Sequence, residues 1–317
     1  MEPLMSGHPQ IEVRQLHRLF GDTHAVNNIS FEVASGEVLG YIGPNGAGKT
    51  TSMRILATLD EPTSGDAFVD GFSVVNDPDR VRRRLGFMPD YFGTYANVNV
   101  HEYLDFFARA YGLRGKERRD ALAFVKDFTG LDKLEHKPID GLSKGMKQRL
   151  CLGRTMIHDP SVMVLDEPAA GLDPRARIEL REMISRLSDI GKAVLISSHI
   201  LTELAEVCDR VAIIEQGQLL AVGSVDEISR RFETQAVVEV RFVGDLQKSH
   251  DWLAARADLL DVRQHQRGVV FRHAGDEVSQ AELLREMVEA GLQVVEFRCQ
   301  TKSLEDVFLH VTQGRVQ

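Results

Sequence analysis

Apolar and polar residues alternate along residues 11–16 and again along 29–33, on either side of a Gly21-Asp22 turn; this period of two predicts an antiparallel, half-buried strand pair. Residues 37–42 read differently, as a short apolar strand that runs into a glycine-rich loop. The stretch 49–59 is free of Gly and Pro and predicts a helix. Helical spacing returns over 98–132, where Val100, Tyr103, Leu104, Phe107, Ala108 and Tyr111 recur at intervals that place them on one face. Parallel-sheet strands are expected at 161–165 and 193–197 with a helix over 174–188 between them. A hairpin of strands 210–214 and 218–222 should turn at Gln216-Gly217.

Beyond about residue 231 the pattern starts afresh. It reads as strand 236–243, helix 246–255, strands 259–262 and 269–272, helix 280–290, strand 293–298 and a last helix 303–311. Strand-helix-strand-strand-helix-strand is the order of a small ferredoxin-like unit. The expected organisation is a large α/β domain over 1–230, with a helical subdomain near 92–158, followed by a small α+β domain over 231–317. A length of 317 residues accommodates one large and one small domain.

Composition and charge narrow the function. With 43% hydrophobic and 27% charged residues the chain is that of an ordinary folded protein. A net charge of −9 lacks the surplus of Lys and Arg that duplex phosphates demand, so nucleic acid is not an expected partner. Cys151, Cys208 and Cys299 are scattered and odd in number, which predicts reduced thiols rather than a disulfide framework. The N-terminal residues show no basic segment followed by an apolar run, as a signal peptide would. No apolar run approaches the ~18 residues of a membrane span, so any membrane task would require another chain to cross.

The chemistry concentrates first in Gly43-Pro44-Asn45-Gly46-Ala47-Gly48-Lys49-Thr50, set between the apolar strand and the helix that continues through Thr51. This matches the phosphate-binding loop pattern, in which glycines fold the backbone tightly, amides point at phosphate oxygens and the helix N-terminus adds its positive end. Lys49 is expected on the β- and γ-phosphates and the Thr50 hydroxyl on magnesium, which makes ATP and Mg2+ the expected cofactors. An accidental glycine-rich turn is the bland alternative, and the flanking strand and helix argue against it. A second constellation is the apolar strand that ends in Asp166 and Glu167. Beside a phosphate loop, Asp166 suits the magnesium shell, and Glu167 suits orienting and polarising an attacking water.

Leu142-Ser143-Lys144-Gly145-Met146-Lys147-Gln148 opens a helix, and by itself Ser143 reads as its N-cap. In its place between phosphate loop and carboxylates, however, LSKGMKQ resembles the LSGGQ signature of the ATP-binding cassette family. The resemblance extends over residues of about 10–225. Ala170-Gly171-Leu172-Asp173 is similar to the family's D-loop, His199 to its switch histidine, and Phe20 falls where the family stacks an aromatic on adenine. Asp90 stands where the family has its Q-loop glutamine, after Leu85-Gly86-Phe87-Met88-Pro89, and is expected to reach magnesium or its bound water through a carboxylate oxygen.

The resemblance implies a P-loop NTPase cassette with a central, mostly parallel sheet, N-terminal antiparallel strands and a helical subdomain. It implies catalytic roles for Lys49, Glu167 and His199. It also implies a head-to-tail homodimer or heterodimer in which Ser143, Gly145 and Asp173 of one subunit help to bind the nucleotide of the other. Such a subunit is cytoplasmic, held at the inner face of the membrane by a separate permease chain. The phrase Ser303-Leu304-Glu305-Asp306-Val307-Phe308 resembles exporter-type subunits, and the C-terminal unit resembles their regulatory or dimer-supporting accessory domain. The competing reading is a cassette ATPase outside transport. Repair members carry a long coiled coil before the signature, and no sustained heptads lie between Thr50 and Leu142.

Overall fold

A computed structural model of the protein describes residues 8–91, 93, 97–199, 207–224, 227–228, 236–265, 268–273 and 275–300. The chain divides into two compact units, Met1–Val225 and Asp226–Gln317. Among the described residues no helix is long and apolar enough to cross a membrane.

The first unit begins with strands β1 (Ile11–Phe20) and β2 (Thr23–Val33), which pair antiparallel around the expected turn. They join β4 (Ser64–Val69) and β5 (Phe72–Ser73) in a sheet of order β2-β1-β4-β5. Alternation works here because one face is buried: Ile11, Val13 and Leu16 point into the core, while Arg14 and Gln15 are exposed.

The second sheet follows the other logic. Strands β3 (Val38–Ile42), β6 (Leu85–Met88), β7 (Val162–Leu165), β8 (Ala193–Ser198), β9 (Arg210–Glu215) and β10 (Gln218–Gly223) lie in the order β10-β9-β3-β8-β7-β6. All neighbours are parallel except the hairpin β9–β10. Every residue of β3, β7 and β8 is buried, as strands covered on both faces require. One apolar core, from Ile11 and Phe31 to Val164 and Ile214, fills the space that the two sheets share.

Helix α1 (Lys49–Leu56) ends three residues earlier than the pattern predicts, because Thr58 takes a left-handed conformation (φ 58°) that a helix cannot continue through. Strands β4, β5 and β6 and the short α2 (Pro78–Arg82) occupy a stretch where the pattern predicts no element. The helical subdomain contains α3 (Val100–Ala110), α4 (Gly115–Thr129) and α5 (Lys144–Met156). Asn99 and Glu102 close a reciprocal capping box on α3. Its buried face is Val100, Tyr103, Leu104 and Ala108, whereas Phe107 is half-buried and Tyr111 is exposed, stacked on His158 at 3.8 Å. Helix α6 (Pro174–Asp189) follows β7.

The second unit holds β11 (Ala236–Val243), α7 (Leu246–Ala254), β12 (Leu259–His265), β13 (Gly268–His273), α8 (Glu277–Glu289) and β14 (Gln293–Gln300). Its antiparallel sheet has the order β12-β13-β11-β14, in which β11 sits between β13 and β14. That is the ferredoxin-like arrangement expected from the element order. Val238, Val240, Phe271, Leu283 and Met287 form its own core. The expected helix over 303–311 and the exporter-like phrase there lie outside the described residues.

Candidate active site

Strand order assembles the site. The carboxyl ends of β3, β8, β7 and β6 stand side by side, and each carries one of the predicted groups: the phosphate loop, His199, the Asp166-Glu167 pair and Asp90. Ligands of open α/β sheets bind at such strand ends.

The loop from Gly43 to Gly48 is held from behind by backbone. Ala47 donates its N–H to Pro44 O, and the Ala47 carbonyl accepts from the Gly217 N–H of the β9–β10 turn at 2.9 Å. Gly48 has φ 102°, and a Cβ there would collide with the Ala25 carbonyl, so only glycine lets the loop lie against β2. Asn45 and Gly46 are exposed, Pro44 is partly so, and Ala47 is buried. Thr50 is exposed at the start of α1 and Thr51 is half-buried beside it.

Lys49 is only 6% exposed. Its ammonium donates to Gly43 O at 2.6 Å and Pro44 O at 3.2 Å, and it lies 3.5 Å from Glu167 Oε1. Burial lowers its pKa, and the Glu167 and Asp166 carboxylates pull the other way. The other oxygen of Glu167, Oε2, meets His199 Nδ1 at 2.7 Å. Lys49, Glu167 and His199 thus form one connected set, with Glu167 in the middle.

Asp166 is 1% exposed. Its Oδ1 accepts from the Ser197 hydroxyl at 2.7 Å, while the buried Oδ2 has no hydrogen-bond partner. Burial raises its pKa; the Ser197 and Thr50 hydroxyls oppose this, and the charges of Asp90 and Glu167 add to it. A bare buried carboxylate oxygen near a threonine hydroxyl and other carboxylates is a donor set for a hard cation. Among the described residues no three His, Cys, Asp or Glu side chains gather as a complete metal cage. This sparse set fits magnesium, which keeps waters and takes substrate phosphate oxygens to finish its shell.

Asp90, at the end of β6, is exposed, and its Oδ1 accepts the backbone N–H of Tyr91 at 2.8 Å. Phe20, at the end of β1, is 49% exposed, with the Arg18 guanidinium 4.5 Å from its ring centroid. Ser143, Gly145 and Asp173 make a second cluster where α5 and α6 begin. Ser143 Oγ caps α5 by accepting from Met146 N at 3.3 Å, and Asp173 Oδ1 caps α6 by accepting from Ala176 N at 2.9 Å. A Cβ on Gly145 would come within 2.9 Å of Ala176 Cβ, so the glycine lets the two helix starts approach.

Two further residues, to which the sequence gives no role of their own, tie the site together. Gln148 is buried and donates from Nε2 to Pro168 O at 2.9 Å, which ties α5 to the turn after Glu167. Ser197 contacts both carboxylate residues. Gln148 sits between Lys147 and Arg149, where nothing local marks it as buried, and the only sequence signal for Ser197 is polarity at the end of an apolar strand.

Comparison with known proteins bears on the family and the fold. Residues 26–170 match the ABC transporter family, and residues 223–312 match the C-terminal domain of DrrA1-3-like ATP-binding proteins. The chain is 33% identical to the bacitracin transport ATP-binding protein BcrA of Bacillus licheniformis, over 96% of this chain and 97% of BcrA. It is 32% identical to the Nod factor export ATP-binding protein I of Ralstonia nicotianae, over 98% of this chain and 96% of that protein. It is 35% identical over 250 residues to a protein of Escherichia coli named "Probable multidrug ABC transporter ATP-binding protein YbhF", of whose length the match spans 43%. A solved ATP-binding subunit of an ABC transporter superposes with a TM-score of 0.64 at 30% identity, over 70% of this chain and 93% of that one. Sequence similarity of this extent, joined to the same fold, leads to one conclusion: the chain belongs to the ABC transporter family, where it is an ATP-binding subunit and an ATPase.

Proposed function

We propose that this subunit binds ATP with magnesium and hydrolyses it to power export through a separate permease chain, as one half of a head-to-tail cassette dimer at the inner face of the membrane. The observation that carries the catalytic part is Glu167, whose carboxylate lies between Lys49 and His199 at the end of β7. A carboxylate has about four acceptor sites, so these two contacts leave room for a water. Glu167 orients that water and takes its proton, while His199 steadies Oε2. Lys49 supplies positive charge to the β- and γ-phosphates. The Thr50 hydroxyl and Asp166 hold magnesium, which when bound neutralises developing phosphate charge. Phe20 offers a ring face to adenine.

The signature cluster supports the dimer. A serine hydroxyl has one donor besides its acceptor sites, so Ser143 can cap α5 and still donate to the partner subunit's γ-phosphate. The Gly145 amide and the positive end of α5 favour the same anion. Export is supported by relatives named for export and antibiotic transport. For the C-terminal unit we place the domain boundary near residue 230 and assign an accessory role, regulatory or dimer-supporting; a chain cut there is expected to keep wild-type ATP affinity in a titration.

The test of the catalytic reading is Glu167→Gln. Turnover should fall on the order of 100-fold or more, the scale of losing a positioned base, with ATP binding retained. Size-exclusion chromatography with ATP and magnesium should then show a dimer. A persistent monomer would count against the head-to-tail arrangement, and wild-type turnover against the role of Glu167.

A further inference from the structure

Ser197 is fully buried near the end of β8, one residue past the point where Leu165 of β7 pairs with Ile196. Its hydroxyl donates to Asp166 Oδ1 at 2.7 Å, and the same oxygen accepts the backbone N–H of Glu167 at 2.8 Å. A hydroxyl has one proton to give and lone pairs to receive, and here both capacities are used, on two consecutive residues of the neighbouring strand end.

The second bond matters because of where it acts. Glu167 has φ 47°, in the left-handed region that a residue with a long side chain seldom adopts and that costs free energy unless its surroundings hold it. This backbone turn sets the side-chain direction, and with it the contacts of the carboxylate to Lys49 and His199. The first bond also leaves an asymmetry: Oδ1 of Asp166 is engaged, and Oδ2 is buried and bare. One side chain from the next strand therefore bonds to the first carboxylate and to the backbone of the second.

We propose that Ser197 is a positioning residue for ATP hydrolysis, which keeps Asp166 oriented with one oxygen in reserve and holds Glu167 in its left-handed turn. The inference rests on the roles proposed above for Asp166 and Glu167. It requires a hydroxyl at this position, not merely a small side chain. Alanine deletes both hydrogen bonds. Threonine restores the hydroxyl on a strand that suits β-branched residues, and cysteine keeps the size but is a poor hydrogen-bonding group.

The experiment compares the ATPase kinetics of the full chain with those of Ser197→Ala, Ser197→Cys, Ser197→Thr, Glu167→Gln and the Ser197→Ala/Glu167→Gln pair. Ser197→Ala should lower kcat about 10-fold or more, the scale of losing a hydrogen bond to a charged group. The magnesium concentration for half-maximal rate should rise several-fold, with magnesium-free ATP affinity unchanged. Threonine should recover most of kcat and cysteine should not. In the Glu167→Gln background Ser197→Ala should cost less kcat than it does in wild type, because one of the two residues through which it acts is already gone, while the rise in magnesium requirement that reports on Asp166 should persist. If Ser197→Ala turns over like wild type while Glu167→Gln is slow, the role of Ser197 is overturned and that of Glu167 stands. If Glu167→Gln itself is unimpaired, the underlying reading fails instead. Should the alanine variant not fold, the other two decide: an active Thr variant beside a slow Cys variant supports the proposal, and equal, wild-type rates in both overturn it.

Discussion

Strands β6 and β7 lie side by side and parallel, and each hands the chain to an acidic residue at its carboxyl end, yet the two ends are physically unlike. Asp166 is buried, bonded across to Ser197, and pushed toward its neutral form by burial. Asp90 is exposed, and one of its oxygens bonds to the amide of the next residue. Placement at a strand end is therefore not what readies a carboxylate for a metal. Readiness comes from burial, which makes a bare oxygen expensive, and from a cross-strand partner, which holds it still. Asp90 still affects its neighbour, since its charge raises the Asp166 pKa, so the two ends share one electrostatic field.

The largest expected effect removes the cation that faces this field. Lys49→Ala should weaken ATP binding about 100-fold or more, the loss of charge-assisted bonds to two phosphates, as read by nucleotide titration. Wild-type affinity in this variant would break the picture of a buried cation reserved for phosphate.

A smaller effect sharpens the contrast directly. The folded-state pKa of Asp166 is raised above its unfolded value, so its ionisation opposes folding above that pKa, and this cost disappears as pH falls below both values. Asp166→Asn removes the charge and should raise the thermal midpoint near neutral pH by about 2–4 °C, the scale of ~1 kcal/mol for a domain of this size. The gain should shrink in acid, and magnesium-dependent turnover should be lost. Asp90→Asn should leave the midpoint unchanged. Equal shifts for both would mean that burial does not separate these carboxylates.

The smallest effects are expected at Asp90 itself. If an oxygen there is shared with magnesium or its water, Asp90→Gln should stay active, because a neutral amide oxygen also suits a hard cation. Asp90→Ala should be slower and need more magnesium. Superimposable magnesium titrations for wild type, Gln and Ala would make Asp90 an ordinary surface residue.

How far the sequence could be read follows from the range of each interaction. Phosphate-loop chemistry is local: Gly48 needs its unusual φ, Lys49 its place at a helix start, and both lie in one unbroken segment beside an apolar strand. Hydrophobic period was similarly legible in β1, β3 and β11, where burial on one face or two leaves a clear imprint. It was not legible in β4, whose buried positions are Ala67 and Val69 among Ser, Gly and Asp. The end of α1 was misplaced because a left-handed threonine has no marker in composition. At Ser143 the sequence allowed a cap or a nucleotide contact, and the structure shows the capping bond there and another, which the sequence did not suggest, at Asp173.

By itself the sequence determined which groups are available: a phosphate loop, two adjacent carboxylates after a strand, a histidine after another, and a second unit with the order of a ferredoxin-like fold. These are fixed by neighbours a few residues apart. Tertiary structure decided what those groups do to one another, because strand order β3-β8-β7-β6 brings together residues separated by over a hundred positions. Only there does Glu167 lie between Lys49 and His199, does Asp166 keep one oxygen bare, and does Ser197 reach both carboxylate residues. Hydrogen bonds and desolvation act over a few ångströms of space, and distance along the chain carries no record of them.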